Sequence, residues 1–136
     1  MTIAVNARFL LKNKLEGYGY FVNEIFAILT KNYPQHTFIF VFDRPFDASF
    51  IFNHTNIIPI VVAPKARFAI SYFWWYNFAV PFALKKFKPN IIVQPYGFCS
   101  LFAKTPQLLV LHDLAYKHYP NFIAKHHLWF YKLFTK

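Results

Sequence analysis

The stretch Gln107–Pro120, QLLVLHDLAYKHYP, decides how this chain reads. It opens on Leu108-Leu109-Val110-Leu111, a short unbroken apolar run, the pattern of a strand covered on both faces in a parallel sheet. His112 and Asp113 follow at once. In open α/β sheets ligands bind outside the carboxyl ends of the strands. The run therefore predicts an ionisable pair standing where the chain leaves the core.

Working outward, other segments supply the rest of such a sheet. Thr2–Asn6 (TIAVN) reads as a first strand, followed by a loop to Tyr18. A helix is expected from about Tyr20 to Asn32, because Phe21, Val22, Ile25, Phe26 and Leu29 fall on one face while Asn23, Glu24, Thr30 and Lys31 lie away from it. Tyr33-Pro34 ends it, since the residue before proline is pushed out of the helical region. Thr37–Phe42 (TFIFVF) is rich in strand formers. Ile57–Val62 carries Pro59 and so reads as an edge strand or a shortened one. Ile91–Gln94 is a fourth strand, turned by Pro95-Tyr96-Gly97, and a last helix is expected over about Ile123–Phe134. The order β, α, β, β, α, β, β, α predicts an α/β fold, a Rossmann-like, doubly wound, mainly parallel sheet.

The second crossover, Phe68–Leu84, is FAISYFWWYNFAVPFAL and contains no charge. As a helix it falls short of the roughly 20 apolar residues a transmembrane span needs. Ser71, Asn77 and Pro81 interrupt it, and its Trp and Tyr residues sit in the middle and not at the ends where membrane interfaces place them. It reads as a buried or interfacial helix, with Lys85, Lys86 and Lys88 suiting its C-terminus.

The chain of 136 residues is the size of one domain. Hydrophobic residues make up 57% and aromatic residues 23% of it, so large apolar faces meet a partner or the protein works at a membrane surface. An AT-rich coding bias toward Phe, Ile, Tyr, Lys and Asn is the plainer account of part of that composition. The net charge of +10 favours phosphate-bearing partners. Nucleic acid is not expected, because no RNA-recognition signature accompanies the aromatics and most of them fall at core positions. Cys99 is the only cysteine, which excludes an internal disulfide. The N-terminus lacks a leader pattern, and a cytoplasmic location is the expectation.

Candidate chemistry is sparse. Glu16-Gly17-Tyr18-Gly19 lies where a phosphate-binding turn would, between first strand and first helix. It has two of the three glycines of the dinucleotide fingerprint, and an ordinary glycine turn fits it equally. His112 suits a general acid or base, or a partner for a sugar hydroxyl, against the alternative of a packed, backbone-satisfied histidine. Asp113 either accepts from His112 or caps the next turn. His118, His126 and His127 do not make a metal site, since adjacent helical residues point about 100° apart and no carboxylate lies near them. Cys99 reads as an inert packed thiol.

Four stretches, in order, resemble the N-terminal domain of a family 4 glycosyltransferase, a retaining enzyme of the GT-B type. They are Ile3-Ala4-Val5-Asn6-Ala7-Arg8, Leu15-Glu16-Gly17-Tyr18-Gly19-Tyr20-Phe21, Ala83 to Ile92 (ALKKFKPNII), and Gln107 to Leu114 (QLLVLHDL). The resemblance implies an N-terminal GT-B half that binds a glycan or lipid-linked acceptor, while a C-terminal domain binds the nucleotide sugar. It implies no cofactor and no metal. On it, His112 and Asp113 are the catalytic candidates, and Arg8, Gly17, Tyr18, Gly19, Tyr96 and Gly97 the substrate-binding ones. Tyr20 stands where family members often carry Arg, and Asn90 where they carry Asp. The paired-glutamate signature of the donor domain has no counterpart, so the chain reads as residues 1–136 of an incomplete N-terminal domain. The competing expectation is a non-catalytic, basic, aromatic module on an anionic membrane surface, peripheral on the inner face. The two are compatible.

Overall fold

The computed structural model describes residues 1–123 and Leu128. It holds a five-stranded, all-parallel sheet. The strands are β1 (Thr2–Asn6), β2 (Thr37–Phe42), β3 (Ile57–Val61), β4 (Ile91–Gln94) and β5 (Gln107–Leu109), in the spatial order β3-β2-β1-β4-β5. Helix α1 (Gly17–Asn32) joins β1 to β2. A continuous helical crossover joins β3 to β4: α2 (Ala69–Trp74), a π turn (Trp75–Ala79) and α3 (Val80–Leu84). The short α4 (Ala115–His118) follows β5.

Strand alternation splits the core into two layers. Val5, Phe38, Phe40 and Phe42 meet Val22 and Phe26 of α1, while Ala4, Ile39, Val41 and Ile92 meet Trp75, Tyr76, Val80 and Leu84 of the second crossover. β1 and β2 are apolar on both sides because each face has a helix on it. This is the doubly wound α/β arrangement expected from the sequence. Pro59 lies on β3, an outer strand, where its missing N–H costs no central ladder bond.

Three details differ from expectation. Helix α1 begins at Gly17, three residues earlier than Tyr20, so Gly17, Tyr18 and Gly19 form its first turn and not a loop before it. Its buried face is Gly19, Val22, Phe26 and Thr30, with Ile25 turned to solvent. Thr30 tolerates burial because its hydroxyl donates to the Phe26 carbonyl (2.6 Å) and meets His54 Nδ1 (2.8 Å). β5 is the outermost strand and ends at Leu109, with Leu108 half exposed, so the run read as covered on both faces is an edge. The helix expected over Ile123–Phe134 falls almost wholly outside the described residues.

The charge-free segment is neither a span nor fully buried. Among the described residues no helix is long and apolar enough to cross a membrane. Its interrupting polar residues have structural work: Ser71 Oγ accepts from the Arg67 and Phe68 amides (3.1 and 3.0 Å) at the helix start. Asn77 donates to the Phe73 carbonyl (2.9 Å) and accepts from the Leu101 amide (2.7 Å). That intrusion into the helical ladder, with Pro81 lacking an N–H four residues on, accompanies the π turn between α2 and α3.

Candidate functional site

The strand order reverses between β1 and β4, with β2 and β3 continuing outward from β1 and β5 from β4. Such a switch point opens a crevice at the carboxyl ends of the strands. The segments leaving there are Ala7–Phe9 after β1, Pro95–Gly97 after β4 and Val110–Asp113 after β5. The last two are held together by main chain: Gly97 N donates to Val110 O (3.1 Å), and Val110 N to Gln94 O (3.0 Å). Gly97 has φ of 70°, a left-handed conformation that a side chain would strain.

Aromatic side chains from these segments and from α1 converge into a cup. The Phe9 and Tyr96 rings lie 4.1 Å apart, and Tyr18 meets Tyr96 edge-on at 4.5 Å. The His112 ring is 4.7 Å from Tyr18 and 4.9 Å from Phe21, both edge-on. His112 Nε2 lies 2.8 Å from the Pro95 carbonyl oxygen. A carbonyl only accepts, so in the neutral ring Nε2 carries the proton and Nδ1 is the basic nitrogen. Asp113 makes its charge felt at Tyr18, whose phenol is pushed above its ordinary pKa first by burial and then by that carboxylate.

Below the cup is a polar floor. Asn6 donates to Tyr76 Oη (2.8 Å) and to Gln94 Oε1 (3.0 Å), and Gln107 ties Gln94 to the Ser100 main chain. Arg8 is buried behind Phe9, with Nη2 donating to the Ala66 carbonyl at 2.7 Å. Its guanidinium lies 4.3 Å from the Tyr72 ring and 4.8 Å from Phe9. Nε is 3.7 Å from Asp43, a carboxylate already gripped by Arg44 at 2.6 Å. Burial opposes the charge on Arg8, yet Tyr72, Tyr76 and Asp43 outweigh it and hold the pKa above the usual arginine value. Nε and Nη1 have no hydrogen-bond partner, so ring faces and the carboxylate's field carry that cation.

Of the residues singled out in the sequence, Tyr18, Tyr96, His112 and Asp113 come together, with Gly97 shaping the turn beneath Tyr96. Arg8 lies next to them but is enclosed, bracing Phe9 against the Ala66 segment. Gly17 is exposed, and a Cβ there would meet nothing within 4 Å. Gly19 has a packing reason: a Cβ would sit 2.7 Å from the Phe9 carbonyl oxygen and 2.8 Å from a Leu15 methyl. The glycine that brings α1 close to the β1 exit thereby positions Tyr18 against Phe9. Sequence reasoning missed Phe9, Tyr72, Tyr76 and Asp43. The adjacency of Phe9 to Arg8 at a strand exit was a usable signal; the other three are joined to the site only by long-range folding.

Among the described residues no group of three His, Cys, Asp or Glu side chains is placed to hold a metal. The Cys99 thiol is pushed up by burial, away from nucleophilic use. Compared with protein-family models, with curated proteins and with solved structures, the chain finds no match.

Proposed function

We propose that this chain is the acceptor-side half of a retaining glycosyltransferase of the GT-B type, taking a hexosyl group from a nucleotide sugar to a glycan or lipid-linked acceptor. One observation carries the reading: an aromatic cup with a histidine on its rim stands at the β1/β4 switch point of a parallel sheet. Aromatic faces suit the apolar C–H faces of a sugar ring. With Nε2 turned to the Pro95 carbonyl, the other ring nitrogen of His112, Nδ1, is the one left to meet a sugar hydroxyl, while Asp113 supplies negative charge near Tyr18.

In this reading the bond from the anomeric carbon to the diphosphate oxygen breaks, and one from the same carbon to the acceptor oxygen forms on the same face. The acceptor's proton leaves with the departing diphosphate. Positive protein groups stabilise that leaving group; on this half the contributor is the uncapped N-terminus of α1, where Glu16 makes no side-chain cap. The donor is held by a second domain. A nucleotide-sugar donor and a lone thiol suit a cytoplasmic reaction.

The test is hexosyl transfer with a donor-binding domain joined after Lys136. Transfer from at least one nucleotide sugar is expected, with kcat/KM reduced about tenfold by His112→Ala, the cost of one hydrogen bond. Transfer that His112→Ala leaves unchanged removes His112 from the site, and a lack of transfer from every donor sinks the reading.

A further inference from the structure

The second crossover helix is apolar on both sides. Tyr72, Tyr76, Val80 and Leu84 face the sheet, whereas Ile70, Trp74, Phe78 and Phe82 face outward and are 86%, 53%, 41% and 71% exposed. A helix hydrophobic all round is ordinarily buried; this one lies on the surface. The outward four recur every fourth residue. In an α-helix that spacing drifts about 40° per step, but the wider π turn at Trp75–Ala79 offsets the drift and keeps the four in one stripe. Beside the stripe Val62, Asn77, Phe78 and Phe82 line an open groove of about 680 Å³.

Charge singles out the partner. Between Asp47 and Asp113 the chain has no acidic residue, while Lys65, Arg67, Lys85, Lys86, Lys88 and Lys104 all fall there. Lys65 and Arg67 precede the stripe, and Lys85 and Lys86 close it, with the Lys85 ammonium 5.5 Å from the Phe82 ring. An apolar aromatic stripe between cations fits the boundary between acyl chains and anionic headgroups. A second copy docked through this face would bring the same excess of cations to the contact.

We propose that the outer face of α2–α3 docks on an anionic lipid bilayer, sinking Ile70, Trp74, Phe78 and Phe82 to the headgroup boundary with the flanking lysines on lipid phosphates. The proposal uses none of the cup residues and stands independently of the sugar-transfer reading. Flotation of the full chain with vesicles tests it, using phosphatidylcholine alone and phosphatidylcholine mixed with phosphatidylglycerol. Binding is expected to the mixed vesicles only and to weaken as salt rises. Lys85→Gln with Lys86→Gln should lower partitioning about 30-fold. Phe78→Ser with Phe82→Ser should lower it on the order of a hundredfold. Brominated acyl chains should quench the wild-type tryptophan signal, and Trp74→Phe should remove most of that quenching, a readout that holds even where the serine variants fold poorly. Equal binding to neutral vesicles, absence of flotation, or unimpaired flotation of the serine variant overturns it. So does a concentration-dependent dimer, dissolved by Phe78→Ser without lipid, in a chain that does not float.

Discussion

The two crossover helices cover opposite faces of one sheet and treat solvent in opposite ways. Helix α1 buries Gly19, Val22, Phe26 and Thr30 and turns Glu24, Asn32 and Lys31 outward. Its exposed Ile25 and Ile28 sit among those polar neighbours, as scattered surface apolar residues commonly do. The α2–α3 crossover has no charged residue from end to end, and its outer row is as apolar as its inner one. Covering a sheet needs only one apolar face, so the second face of α2–α3 is surplus to folding. Surplus apolar surface in a contiguous patch marks an interaction site.

The comparison breaks if inner and outer rows matter equally. Trp75→Ala, on the inner row, empties a fully buried site and removes the indole bond to the Val62 carbonyl (2.8 Å); it should cost about 3–5 kcal/mol. Phe26→Ala should cost a similar amount on the α1 side, both read as midpoint shifts in urea. Gly19→Ala pushes α1 off the Phe9 carbonyl and should cost about 1–3 kcal/mol while also loosening the cup. At the other extreme, Trp74→Ser with Phe82→Ser should leave stability within about 0.5 kcal/mol. A loss as large as that of Trp75→Ala would mean the outer row belongs to the core.

A subtler contrast lies in Tyr72, which stacks under Arg8 from the inner row. Its hydroxyl is buried without a hydrogen-bond partner. Tyr72→Phe keeps the ring and should be neutral or stabilise by up to about 1 kcal/mol. Burial raises the pKa of Tyr72 well above the usual phenol value, and that of Tyr18 and Tyr76 also. A raised pKa favours the protonated folded form, so this stability is fully present below the unfolded value near 10 and is lost as pH climbs beyond it. Urea midpoints measured across that range should fall with rising pH, less steeply for Tyr72→Phe than for the wild type.

The sheet was legible because its strands are short apolar runs at parallel-sheet spacing, and both crossovers announced themselves by length and composition. Pro59 correctly marked an edge. The QLLVL run misled about β5 because an apolar run reports composition, not neighbours, and nothing local says that the strand is outermost. Thr30 misled in the opposite direction, since its burial depends on His54, which is distant in sequence. At the site, His112, Tyr18 and Tyr96 could be picked out from strand ends and glycines. The enclosed Arg8 could not, because its surroundings come from β2, the Ala66 segment and α2 together. The outward stripe was hidden by the π turn, whose change of helical phase no 3.6-residue reading contains.

The most direct measurement of the central claim is chemical-shift mapping on the labelled chain titrated with oligosaccharides and nucleotide sugars. A sugar-binding cup predicts saturable shifts at Tyr18, Tyr96, Gly97 and His112, abolished by Tyr96→Ala, with the amides of Val61–Phe82 unmoved. An absence of saturable shifts with every ligand, or shifts confined to residues outside the cup, would contradict it.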